Sequence, residues 1–145
     1  MKAYSNKGAK MQKFVINEKL PTINDIIRRT NRNRFVGARL KADTDAIIKN
    51  YIYESLDAGR IKKVKKPIVI LIDYYEGKRR DVDNIQSSQK FILDSLVEAG
   101  VLVDDSQKYV KQIYHRIFNS KKEYSVVYLL NENEIELILK DTPDR

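Results

Sequence analysis

The order of helical and strand signals along the chain predicts helices packed on a sheet, an α/β or α+β sandwich. Three observations carry this. Residues 67–75 (PIVILIDYY) form a continuous, β-branched apolar run, the pattern of a strand buried on both faces. Two stretches, around 37–56 and 84–99, carry apolar residues at helical spacing. Shorter apolar segments flank them. Two main helices and about four strands follow from this pattern.

Met11–Glu18, centred on Phe14, Val15 and Ile16, reads as a strand. Pro21-Thr22-Ile23-Asn24-Asp25 is a turn or cap signal, and a short helix is expected after it. The longest helical stretch opens at Gly37 and runs to about Leu56. Ile48, Ile52 and Leu56 recur there at i, i+4 and i+8, beside Ile47 and Tyr51, and Ala58-Gly59 ends it. After the strand Pro67–Tyr75, Glu76-Gly77-Lys78 turns the chain. A second helix is expected over Asn84–Ala99 from the pairs Ile92/Leu96 and Leu93/Val97. Asp83 is its expected N-cap, and Gly100 stands where a helix end favours φ > 0. Tyr109–Phe118 and Glu123–Leu130 read as strands. Val101–Val103 and residues 135–139 are too short to assign. One domain over 1–145 is expected, with 1–10 as a flexible segment and 140–145 as an acidic tail.

Composition narrows the chemistry. There is no Cys, which excludes disulfides, thiolate zinc sites and Cys nucleophiles and agrees with a reducing compartment. A single His excludes His-rich metal cages and HExxH chemistry. No apolar run approaches the roughly 20 residues of a membrane helix. Lys2, Lys7 and Lys10 are followed by no apolar stretch, so no secretory signal is expected. The net charge of +8 is uneven: residues 131–145 carry −3 and the first 130 carry +11. Arg28, Arg29, Arg32, Arg34, Arg39 and Lys41 form one basic run; Lys62, Lys63, Lys65 and Lys66 a second; Lys78, Arg79 and Arg80 a third. Such runs also serve as solvated faces, but several on so short a chain favour a polyanionic partner.

The chemically informative string is Arg79-Arg80-Asp81-Val82-Asp83-Asn84. In extended backbone, i and i+2 side chains point the same way, so Asp81 and Asp83 can converge. Hard cations such as Mg²⁺ take oxygen ligands, often one or two carboxylates with waters and substrate phosphate. A second acidic pair, Asp104-Asp105, follows Gly100. The same residues also suit a turn, a cap and a second turn. An EF-hand is excluded, because Ile85, Gln86 and Ile92 fall where its Asp/Asn, Gly and Glu belong. P-loop, GxGxxG and GxSxG strings are absent.

RDVDN, then KFILDSLVEAG, then DDSQ, resembles the RusA-type Holliday junction resolvases, most strongly over residues 79–109. The Pro21–Asn24 turn extends the likeness more loosely. The resemblance implies an α+β fold with a mixed sheet, a homodimer, and a cytoplasmic, bacterial or prophage-encoded protein. It implies an endonuclease that uses Mg²⁺, with Mn²⁺ as alternative, and resolves four-way junctions by paired symmetric nicks in recombination and repair. Carried over residue by residue, the metal-binding and catalytic acids fall on Asp81, Asp83 and Asp105, with Asp104 as neighbour or alternate, and the active-site lysine on Lys90. Arg79, Arg80 and Lys78 would position phosphates, and Arg28, Arg29, Arg32 and Arg34 would hold DNA arms. The family's spacing of about four residues from second acid to lysine becomes seven here, and at about 100° per residue both spacings return to one helical face. The insert, Gln86-Ser87-Ser88-Gln89, leaves three options: Lys90 reaches back, Ser87 at i+4 from Asp83 takes the near place, or a π-bulge absorbs the extra turn, with Asn84 as a further neighbour of the site. His115 has no expected partner. Two rivals stay open: a nuclease acting on other branched DNA, and a junction-binding protein without catalysis.

Overall fold

A computed structural model describes residues 11–78 and 82–140. The expectations for 1–10, for the tail beyond Lys140, and for Arg79, Arg80 and Asp81 therefore lie outside the described residues. The architecture is α+β, with four strands in one mixed sheet. The elements run β1 (Gln12–Ile16), α1 (Ile23–Arg32), α2 (Arg34–Asp57), β2 (Ile68–Glu76), α3 (Val82–Gln86), α4 (Gln89–Glu98), β3 (Val110–Asn119), β4 (Tyr124–Leu130) and α5 (Glu132–Lys140).

The sheet order is β1-β4-β2-β3. β4 is antiparallel to both β1 and β2, and β2 is parallel to β3. A parallel pair needs a crossover, and α3–α4 supplies it. The continuous apolar character of β2 has a direct cause: it is an inner strand covered on both faces. On one face Phe14, Ile16, Ile70, Ile72, Tyr74, Val127 and Leu129 meet Ile48 and Ile52 of α2 and Phe91, Ile92 and Leu96 of α4. On the other, Val69, Leu71 and Leu130 meet Ile135 of α5. Each such apolar side chain withdrawn from water contributes about 1.5–3 kcal/mol. Asp73 breaks the run. It is fully buried, and Arg116, directly across the parallel pair, grips it with two hydrogen bonds of 2.7 and 2.6 Å.

Several boundaries differ from the sequence expectation. The segment after Pro21 is a full ten-residue helix, closed by a capping box in which Thr22 and Asp25 exchange side-chain bonds. The long helix starts at Arg34 and not at Gly37, because Asn33 takes an extended conformation and its side chain accepts from the Phe35 amide. Gly37 lies inside α2 for a packing reason: a Cβ there would stand 1.9 Å from Thr30 Oγ1, so only glycine lets α1 fold back so closely. The expected helix Asn84–Ala99 is broken at Ser87-Ser88 into α3 and α4. Gly100 does end α4, with φ +80°. Residues 132–140, unassigned from periodicity, form α5. Asn131 and Glu134 cap it by exchanging amide-to-side-chain bonds of 3.0 and 2.9 Å, a signal that was present in the sequence.

Candidate functional site

β2 delivers the chain to the segment that carries the acids, and α3 and α4 then carry it back along the sheet. Asp83 is the second residue of α3, not the residue before it, which corrects the N-cap expectation. It is exposed, and its Oδ1 accepts from the Asn84 amide at 2.9 Å, one of the donors a helix start leaves without an intrahelical partner. Asn84 is half-buried, and its carbonyl accepts from the Ser87 hydroxyl at 2.6 Å. Lys78 is exposed just past β2. Glu76, a third carboxylate at this end of the sheet, is 7% exposed and closes β2, where the sequence predicts a turn.

The insert is occupied by packing. Ser87 Oγ accepts from the Ile23 amide at 3.0 Å, and Ser88 Oγ donates to the Pro21 carbonyl at 3.1 Å. Gln89 Oε1 accepts from His115 Nε2 at 2.8 Å, and Tyr74 donates its hydroxyl to His115 Nδ1 at 3.1 Å. The Tyr74 and His115 rings stack with centroids 5.7 Å apart. Burial lowers the His115 pKa from 6.5, favouring the neutral ring this pair of bonds requires. His115 thus has two partners where none was expected. The insert takes a form outside the three options: the helix breaks at Ser87-Ser88, and there is no π-bulge among the described residues. Ser87 faces the start of α1. Lys90 is 63% exposed and its Nζ lies 3.4 Å from Asp94, one turn further along α4, so it does not reach back toward Asp83. Asp94 also faces Lys41 at 4.0 Å, and Lys41 bonds Asp45 at 3.0 Å, which raises the lysine pKa.

Asp104 and Asp105 stand elsewhere. Leu96 accepts from the amides of Val101 and Leu102, Val101 accepts from the Val64 amide, and Tyr109 accepts from the Ile68 amide. These bonds hold residues 101–109 beside the N-terminal end of β2, whereas Asp83 follows its C-terminal end. α4 alone, from Gln89 to Glu98, advances on the order of 14 Å at about 1.5 Å per residue. Asp104 closes a small turn by accepting from the Ser106 amide at 2.8 Å, and its bonds from the Ser106 side chain and backbone hold its carboxyl below the usual range. Asp105 is exposed beside it. Within one chain Asp83 thus follows the C-terminal end of β2, and Asp105 precedes β3 near the N-terminal end of β2. Among the described residues no three His, Cys, Asp or Glu side chains gather to hold a metal ion; Asp81 is not among them.

The arginines of the first run lie on α1 and at the start of α2. Arg28, Arg29, Arg32 and Arg34 are exposed, with Arg28 paired to Asp25 at 2.7 Å. Because Ser87 and Ser88 hold the Pro21–Ile23 segment, this helix is anchored at its N-terminus to the α3–α4 junction, four residues after Asp83. The second basic run precedes β2, at the end where Asp104 and Asp105 stand, and the Lys62 amide there donates to Gln12 Oε1 at 2.8 Å. No family model and no curated protein matches the chain. No helix among the described residues is long and apolar enough to cross a membrane.

Proposed function

We propose that the chain is a Mg²⁺-dependent endonuclease acting on branched DNA, with the four-way junction as its substrate. The observation that supports it is the anchoring of the arginine helix α1 on the Asp83 segment. That joint ties the N-terminus of the arginine-bearing helix to the two serines that follow α3, the short helix carrying the exposed Asp83. Asp81 and Asp83, two residues apart, would hold the ion, with Mn²⁺ as a substitute. Because one chain keeps Asp105 at the far end of the crossover, Asp105 would come from a second copy. A twofold dimer places each chain's Asp105 end against the other's Asp83 end and yields two identical sites, the arrangement that paired symmetric nicks require. The bound ion would polarise a phosphoryl oxygen and lower the pKa of its water. Lys78, Arg79, Arg80 and the α1 arginines would hold the backbone.

The test is a nicking assay with added Mg²⁺ on a four-way junction, a flap and a linear duplex. Cutting of the junction but not the duplex, lost with EDTA and in Asp83→Asn with binding retained, is the expected result. Wild-type cutting by Asp83→Asn would refute the site. Equal cutting of the flap would assign a broader branched substrate, and tight junction binding with no cutting would assign a binding protein.

A further inference from the structure

The bend between α1 and α2 carries features that phosphate binding does not use. Phe35 is 72% exposed, the highest exposure among the large hydrophobic residues described as exposed. An aromatic ring left in water forfeits a sizeable burial contribution, and exposed apolar clusters with polar rims mark binding surfaces. Val36, next to it in the chain, is 42% exposed, Ile27 of α1 is 50% exposed, and α1 buries none of its residues. The ring's mount is rigid. Its amide is fixed by the Asn33 side chain, whose own backbone N–H donates to the Arg29 carbonyl, and Gly37 packs on Thr30 just beyond. The Arg34 guanidinium lies 5.3 Å from the ring centroid. Arg29, Arg32, Asn33 and Val36, which flank Phe35 along the chain, line a cavity of about 310 Å³ that the Phe35 ring itself does not line.

We propose that this bend seats an unpaired nucleotide: Phe35 stacks on the base while Arg29 and Arg32 hold its phosphate. Charge selects the occupant. The surround is arginine-rich, so a polyanion with a flat apolar face fits better than a second copy of this +8 chain. The proposal rests on the reading of the chain as a branched-DNA nuclease only for where that nucleotide comes from, namely bases that lose their partners at the branch.

The test needs no cleavage. Asp83→Asn protein is titrated with a four-way junction carrying 2-aminopurine in a base pair at the branch point, and with a linear duplex carrying it as control. Stacking on Phe35 should change the 2-aminopurine fluorescence on binding. Phe35→Ala should abolish that change and weaken junction binding about ten-fold while leaving the duplex unaffected. Phe35→Trp should retain both. The residue is exposed, so these variants keep their fold. An unchanged signal and affinity in Phe35→Ala would overturn the proposal. So would a loss of self-association in Phe35→Ala by sedimentation, which would make the patch an interface between copies. If Asp83→Asn stacks the probe while the wild-type protein never nicks a junction, the nuclease reading falls and this seat stands.

Discussion

Subunit complementation tests the two-copy site directly. The perturbation is a pair of single variants, Asp83→Asn and Asp105→Asn, each inactive alone. Mg²⁺–oxygen bonds are about 2.1 Å, so carboxylates that share an ion lie within roughly 5 Å of one another. Within one chain the crossover helix α4, on the order of 14 Å long, lies between them. Co-refolded in equal amounts, the variants form mixed dimers as about half the population, and each mixed dimer has one site with both acids lost and one with both retained. Nicking should therefore return to about a quarter of the wild-type rate per chain, as single nicks and not as paired cuts. The assay is a supercoiled plasmid bearing an extruded cruciform: single nicks relax it and paired cuts linearise it. If the mixture stays as inactive as either variant alone, although labelled subunits exchange, then Asp105 does not complete the Asp83 site across copies and the dimer proposal fails.

Other outcomes follow from the same geometry. Asp73→Asn should destabilise the fold by about 3–5 kcal/mol in urea unfolding, because it leaves the Arg116 charge almost fully buried without its partner. The double variant Asp73→Leu/Arg116→Met should recover most of that loss; a double variant as unstable as the single would show that the pair is not an isolated unit. Lys90→Ala should slow nicking far less than Asp83→Asn, since Lys90 leans on Asp94; equal, near-total losses would place it in the chemistry. Because burial lowers the His115 pKa from 6.5, the unfolded chain takes up that proton first as pH falls. Stability should thus be full above about pH 6.5 and drain away below it, and His115→Phe should flatten that part of the pH profile; an unchanged slope would locate the acid sensitivity elsewhere.

Local signals made much of this fold legible in the residues themselves. The β2 run declared its burial, the helical periods of α2 and α4 declared their faces, Thr22 and Asp25 declared a cap, and Gly100 a helix end. These depend on neighbours within a few positions, where backbone geometry fixes who meets whom. Packing alone decided the rest. Ser87 and Ser88 look like solvated insert residues, yet they close bonds to a segment 64 and 67 positions away. Asp73 looks like a flaw in a strand until its 43-residue separation from Arg116 is closed by parallel pairing. The acids Asp83 and Asp105 look like one site on paper, because sequence spacing cannot show which end of a crossover each occupies. The parallel pairing of β2 and β3 settles that: it sends the chain the length of the sheet between them, and no side-chain property at either position records it.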